Sequence, residues 1–309
     1  MAARLVRIGT RGSPLALWQA RHVAGLLAGL DPGIVTELVV IKTQGDKILD
    51  VPLAKVGGKG LFIKEIEDAL LSAQVDLAVH SMKDVPAELP ERLMIAAIPP
   101  REDPRDALVA AGGAIDIAHL PIGGRVGTSS LRRAAQILAA RPDIVIEPLR
   151  GNVETRLSKL TSMNLSAVVL AAAGLKRLGF ENRITAFVPA TEMLPAVGQG
   201  ALALETRADD EFTSGLARRL DDPETRAAVT AERAFLSRVE GGCQVPVAAH
   251  AKVENGFISL DALIADVSGS PCFRDSVSGP VAEAASLGVT LADRLLDRGG
   301  REIMARLLA

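Results

Sequence analysis

Short apolar runs alternate with amphipathic ones through most of this chain, and that rhythm is the strongest constraint on its fold. Residues 5–9, 35–42, 76–80 and 93–98 read as strands, with helical patterns over 14–30 and 61–73 between them. Strands separated by helices point to an α/β domain. Ser13 before Pro14 marks a helix start, because serine caps free amides and proline suits the first turn. A second block repeats the rhythm, with strands at 107–110, 125–127, 144–147 and 167–171 and helices at 130–140 and 153–160. Prolines and charges at 99–104 separate the blocks, and Leu194 to Gly200 forms a second break before a strand at 201–205. Two crossings imply that the chain returns to the first domain, so the expected body is two hinged α/β domains. Beyond Pro223 a long helical pattern leads to Cys243, and the strands at 247–253 and 257–265 flank Asn255-Gly256, a pair suited to a type I′ hairpin. A strand at 272–277 and a terminal helix over 281–308 complete a small α+β domain with a three-stranded antiparallel sheet. The expected domains are 1–100 with 200–219, 104–195, and 222–309. No internal sequence repeat is evident.

Composition removes several function classes. At 309 residues the chain exceeds one ordinary core. No apolar run approaches the roughly 20 residues that span a bilayer, so no membrane segment is expected. A net charge of −2 gives no basic field for nucleic acid, and 3% aromatics with no tyrosine remove the usual base-stacking platforms. His22, His80, His119 and His250 are scattered without metal-ligand spacing, so no metal is expected. Arginines at 4, 7, 11 and 21 imitate a transit peptide, but residues 4–8 alternate like a strand. A cytoplasmic protein is the expectation, and two cysteines without a secretory signal fit a reducing compartment. No long exposed apolar stripe demands a partner, so a monomer is expected.

Local anion sites remain. Gly127 to Arg133 joins a strand to a helix, where amides, hydroxyls and the helix dipole favour an anion. Capping by Thr128 or Ser129 accounts for the hydroxyls, though not for Arg132 beside Arg133. Leu149 to Arg156 repeats the idea, with Asn152 as cap and Arg150 and Arg156 nearby. His80 to Pro86 follows a strand, and Lys83-Asp84 is either a compensated surface pair or a pair of ligand groups. Arg11, Ser13, Ser81, Lys83, Lys55 and Lys59, with the four arginines of the second block, would line a cleft with positive charge around one carboxylate. The Thr43–Gly60 stretch reads as a mobile basic loop, with Lys55 and Lys59 placed to close as a lid. Gly57-Gly58-Lys59-Gly60 fails as a P-loop, and Gly9 to Ser13 is only part of a dinucleotide fingerprint. Cys243, set among glycines in Glu240 to Pro246, is either a small packed hydrophobe or an accessible thiol.

Taken in order, IGTRGSPLALWQA, KTQGDKILDVPLAKVGGKGLFIKEIE, DLAVHSMKDVP, REDPRDALV, VGTSSLRR, LRGNVETRL, AAAGLKRLG, LPAVGQGAL and EGGCQVPVAAHA resemble the porphobilinogen deaminase (hydroxymethylbilane synthase) family over nearly the whole chain. The resemblance implies two hinged periplasmic-binding-protein-like α/β domains plus the small C-terminal α+β domain. It implies a dipyrromethane cofactor joined to Cys243 by a thioether. Four porphobilinogen units would be added head to tail, each losing ammonia, before hydrolysis releases hydroxymethylbilane. It further implies Asp84 near the pyrrole nitrogens as the catalytic group, with Lys83, Ser129, Arg132 and Arg133 on the cofactor. Arg11, Ser13, Arg150, Arg156, Arg177 and Gln199 would take the substrate's carboxylates and neighbouring positions. Glu154 and Cys272 depart from the pattern. Loss of ammonia leaves a cation, and a carboxylate at ~4 Å in a medium of effective dielectric ~20 stabilises it by roughly 4 kcal/mol, about a thousandfold in rate. Two competing readings are a non-catalytic two-domain anion-binding protein, which needs no covalent adduct, and a cysteine-nucleophile transferase, which needs a histidine base.

Overall fold

The computed structural model describes residues 4–47, 63–112, 116–240 and 245–308. In chain order the elements are β1 (Arg4–Thr10), α1 (Pro14–Leu30), β2 (Ile34–Val40), α2 (Gln44–Lys47), α3 (Lys64–Leu71), β3 (Leu77–Ser81) and β4 (Leu93–Ala97). Then come β5 (Asp106–Ala110), β6 (Arg125–Gly127), α4 (Leu131–Ala140), β7 (Val145–Glu147), α5 (Val153–Ser162), β8 (Ala167–Ala171), α6 (Ala172–Arg177) and β9 (Ala186–Val188). The remainder is β10 (Leu202–Arg207), α7 (Glu211–Arg218), α8 (Pro223–Arg238), β11 (Val247–Glu254), β12 (Phe257–Ala265), β13 (Cys272–Pro280), α9 (Ala284–Leu295) and α10 (Arg301–Leu308).

Two compact units result, Met1–Glu102 with Ala201–Arg226, and Asp103–Gly200 with Ala227–Ala309. The first contains a sheet of order β2-β1-β3-β10-β4, parallel except for β10. Its central strands are buried on both faces, as parallel strands between helices must be. Val6, Ile8, Leu77 and Val79 pack toward α1 and α7, and Ala78 packs toward Ile66 and Leu70 of α3. The second unit contains a sheet of order β7-β6-β8-β5-β9, in which β5 is the antiparallel strand. The two orders are the same pattern, so a repeat absent from the sequence is present in the topology. In each sheet the antiparallel strand follows a crossing of the chain from the other unit: β5 after 102, β10 after 200. The return of the chain is the one expected from the two breaks, and the paired sheets form the periplasmic-binding-protein-like arrangement that the family resemblance implies.

The second unit also holds the antiparallel sheet β11-β12-β13, with α8 and α9 covering a core centred on Phe235. Asn255 and Gly256 have φ of 52° and 80°, as a type I′ turn requires. The terminal helix expected over 281–308 is not continuous. Gly299 has φ 120°, a conformation open to glycine and strained for other residues, and it breaks the helix between α9 and α10. Within the stretch expected to be a loop over 43–60, Gln44–Lys47 forms one short helix, and the later part lies outside the described residues. Among the described residues no helix is long and apolar enough to cross a membrane.

Candidate active site

In the first unit the candidate residues gather where β1 and β3 end. These strands are parallel neighbours, so their C-terminal ends lie side by side, where α/β sheets place ligand groups. From β1 the chain passes Arg11 to Ser13, whose Oγ accepts the Ala16 amide at 3.3 Å and caps α1 as expected. From β3 it enters a 3-10 turn, Met82–Asp84, whose Met82 amide donates to the Ala201 carbonyl at 3.0 Å. Gln19, buried on α1, donates Nε2–H to Ser81 Oγ at 2.9 Å and ties the turn to the helix. Met82 is buried beneath the turn, which leaves Lys83 and Asp84 exposed. Arg11, Ser13, Ser81 and Asp84 line one cavity. One wall therefore presents a guanidinium, two hydroxyls and a carboxylate.

In the second unit β6 and β7 are also parallel neighbours, and their exits are stitched together. Exposed Ser129 donates its hydroxyl to the Leu149 carbonyl at 2.6 Å, and the Thr128 amide donates to the Glu147 carbonyl at 2.9 Å. The cap of α4 is Ser130, which accepts the Arg133 amide, so neither Thr128 nor Ser129 fills that role. Asn152 caps α5 as expected, accepting the Thr155 amide at 2.9 Å. Arg150 and Arg156 beside it are half-buried.

Arg132 and Arg133 do not stand on an open helix face. Both are buried, and both turn inward to Asp106, the first residue of β5. Arg132 Nη1 donates to Asp106 Oδ2 at 2.8 Å and to the Leu194 carbonyl at 2.6 Å. Arg133 donates to Asp106 Oδ1 from Nε at 3.0 Å and from Nη2 at 2.7 Å. Gln199 Nε2 adds a bond to the same oxygen at 2.9 Å, and Arg177 Nη2 donates to the neighbouring Gly200 carbonyl at 2.7 Å. Burial alone would raise the Asp106 pKa. The two guanidinium charges and their hydrogen bonds outweigh it and hold the carboxyl well below the usual range.

Asp106 is the principal residue that sequence reasoning missed. Its signal was an acid at the head of an otherwise apolar strand, DALVA, which places a carboxylate inside the domain where only a cation could accompany it. Glu232 was missed for the same reason. It is fully buried on α8 and accepts the Gly198 amide at 2.6 Å and the Ala251 amide at 2.9 Å, linking the turn that carries Gln199 to β11. Cys243, Lys55 and Lys59 lie outside the described residues. Cys272, at the start of β13, is exposed by surface area, yet the protein packed around its sulfur partly desolvates the thiol and pushes its pKa up against the opposing charge of Arg274, away from a reactive thiolate.

Within the first unit, then, the cavity offers Asp84 as a carboxylate acceptor beside the Arg11 guanidinium and the Ser13 and Ser81 hydroxyls. The two strand orders define a periplasmic-binding-protein-like α/β protein. Residues 6–215 match the family model "Porphobilinogen deaminase, dipyromethane cofactor binding domain", and residues 226–297 match "Porphobilinogen deaminase, C-terminal domain". A porphobilinogen deaminase of Geobacter metallireducens is 55% identical over 99% of this chain and 95% of its own length. One of Syntrophobacter fumaroxidans is 56% identical over 98% of each. Among solved structures, the periplasmic VFT2 domain of Bordetella pertussis BvgS aligns with a TM-score of 0.41 and 17% identity, covering 70% of this chain and 86% of that one. The L-cystine solute receptor of Neisseria gonorrhoeae aligns at 0.40 and 16%, covering 70% and 84%. The chain belongs to the porphobilinogen deaminase family.

Proposed function

We propose that this chain polymerises four porphobilinogen molecules head to tail, with loss of ammonia at each addition, onto a dipyrromethane primer, and releases hydroxymethylbilane by hydrolysis. The observation that carries this reading is the cavity shared by Arg11, Ser13, Ser81 and Asp84, inside the segment that matches the family's cofactor-binding domain. Cys243 would anchor the primer through a thioether, and its position within the C-terminal family match supports that assignment. When bound, the primer would supply the free pyrrole carbon for the first unit, and each later unit would join the one added before it.

The protein's own groups divide the remaining work. Asp84 accepts the pyrrole N–H of the reacting unit and stabilises the positive charge left when ammonia departs. The turn that carries it is tied down by the Met82 amide on the Ala201 carbonyl. Lys83, Ser129, Arg132 and Arg133 would hold the primer's acetate and propionate arms. Arg11, Ser13, Arg150, Arg156, Arg177 and Gln199 would hold the incoming unit and the growing chain, and Lys55 and Lys59 would close over it. We read the chain as a cytosolic monomer that binds neither nucleic acid nor membrane, with domains 1–100 plus 200–219, 104–195 and 222–309. Weak net charge and scarce aromatics support the absence of nucleic-acid binding.

Intact-mass measurement tests the anchor: an excess equal to two pyrrole units, absent from Cys243→Ser, is expected, and an unmodified thiol in active protein refutes it. Asp84→Asn in loaded protein is expected to lower turnover by about three orders of magnitude. Near-normal turnover in that variant removes Asp84 from the chemistry.

A further inference from the structure

The first unit carries a buried ionisable cluster that the catalytic reading leaves unused. Its members come from three elements: Glu67 on α3, His80 on β3 and Glu205 on β10. The antiparallel register sets Glu205 opposite Ala78. His80 is two residues beyond Ala78 and therefore projects from the same face of the pleat, toward α3. His80 Nε2 lies 2.9 Å from Glu205 Oε2, with the two side chains 4% and 0% exposed. Glu205 Oε1 and Glu67 Oε1 are both buried without a hydrogen-bond partner. Two carboxylates facing one apolar layer of Ile66, Leu70 and Ala78 resist ionising together. Burial first, then the Glu205 charge, pushes the Glu67 carboxyl up to about 7, with Asp68 adding to the rise and His80 opposing it.

The position of the cluster gives its proton a consequence. β3 runs from His80 through Ser81 into the Asp84 turn, and His80, Ser81 and Asp84 line the same cavity. His80 is the member of the cluster that reaches the cavity, so a negative charge behind it adds to the field of Asp84 where a cation develops. Other charges bordering the cluster are largely occupied. On α3, Glu65 accepts the Gln44 amide, while Asp68 and Lys64 are exposed. Arg207 on β10 is bound to Asp76, Asp210 and the Leu70 and Val75 carbonyls, and Arg7 on β1 is paired with Asp76. β4 brings no titratable side chain, and the cavity side brings Arg11, Lys83 and Asp84.

We propose that Glu67, His80 and Glu205 form a proton-exchanging support beneath the Asp84 turn, in which ionised Glu67 strengthens the cation-stabilising field and His80 is a positioning residue that keeps the Glu205 carboxylate in place. The released proton passes to solvent, and turnover rises as the cluster loses it. This rests on the deaminase reading. The experiment uses the cofactor-loaded protein, matched for loading by intact mass, with kcat and KM for porphobilinogen measured from about pH 5.5 to about 9. The wild type is expected to show a limb in kcat centred near neutral pH. Glu67→Gln should remove that limb and leave kcat flat, about tenfold below wild type at the alkaline end with KM unchanged, and Glu67→Asp should restore it. His80→Gln should move the limb without abolishing it. A limb that persists unchanged in Glu67→Gln overturns the proposal. Should a variant fail to fold, carboxyl-carbon NMR of Glu67 in the wild type decides: a midpoint near neutral pH supports the support role, and one in the ordinary glutamate range overturns it. Wild-type protein that makes no hydroxymethylbilane refutes the deaminase reading instead, whatever the carboxyl titration shows of the cluster.

Discussion

Replacing Asp106 by asparagine should be among the most damaging single changes available in the second unit. Its carboxylate is fully buried and accepts four hydrogen bonds, one from Arg132, two from Arg133 and one from Gln199. Two guanidinium charges against one carboxylate leave a net +1 in the cluster, and the asparagine variant raises that to +2. Removing one partner of a buried ion pair costs about 3–5 kcal/mol, because the remaining charge stays desolvated. Asparagine keeps one carbonyl acceptor, so it falls toward the lower end, and alanine toward the upper. Either is a large share of the ~5–15 kcal/mol that ordinarily separates folded from unfolded chains. Equilibrium urea unfolding followed by circular dichroism at neutral pH reads the loss as a lower midpoint. The sign of the pH dependence follows from the depressed pKa. The stabilisation from Asp106 is present above its unfolded value and is lost as pH falls through the folded one. The gap between wild type and Asp106→Asn should therefore be full at neutral pH and shrink below about pH 4. A loss under about 1 kcal/mol, or a gap that does not narrow on acidification, would refute the assignment of Asp106 as the counter-ion of both arginines.

Two further outcomes follow from buried contacts in the C-terminal part of that unit. Gly288 lies where α9 crosses α8, and a Cβ there would meet Phe235 N at 2.8 Å and Ala234 Cβ at 2.9 Å, so Gly288→Ala should cost about 1–3 kcal/mol despite alanine's better helix propensity. Differential scanning calorimetry should show a clear fall in the melting temperature, and an unchanged one would mean the helices separate without strain. Glu232→Gln turns an amide N–H toward one of the two backbone donors now served by a carboxylate, which should cost about 1–3 kcal/mol and speed hydrogen exchange at Gly198 and Ala251. Unaltered exchange at both amides would show that the carboxylate is dispensable to that link.

What the sequence disclosed was local. Ser13 before Pro14, Asn152 before an amphipathic run and Asn255-Gly256 between alternating strands each state their geometry within a few residues, and the structure has the two caps and the turn at those places. The misplaced cap is also local in origin: the sequence points to Thr128 or Ser129 with the helix starting at 130, and backbone geometry instead makes Ser130 the cap. The larger omissions are of another kind. Asp106 meets Arg132 and Arg133 across 26 and 27 residues and Gln199 across 93, while His80 meets Glu205 across 125. No periodicity records such pairs: an acid on an apolar strand such as Asp106 signals that a cation is near, but not which distant residue supplies it.

That difference alters the physical picture of the arginines. As an open array, each would lose side-chain entropy on meeting an anion and would be screened by water until it did. Held by Asp106, the guanidinium groups of Arg132 and Arg133 are fixed before any ligand arrives, and burial keeps solvent from screening them. Burial even lowers the Arg132 pKa, a sign of how strongly that charge lacks solvation, although an arginine remains protonated at any physiological pH. The cluster carries one positive charge more than Asp106 neutralises. In the proposed reaction a carboxylate arm of the primer supplies the missing negative charge. On that proposal a single acid is the right number: without Asp106 two buried cations would repel one another, and with a second acid no net charge would remain for a carboxylate arm.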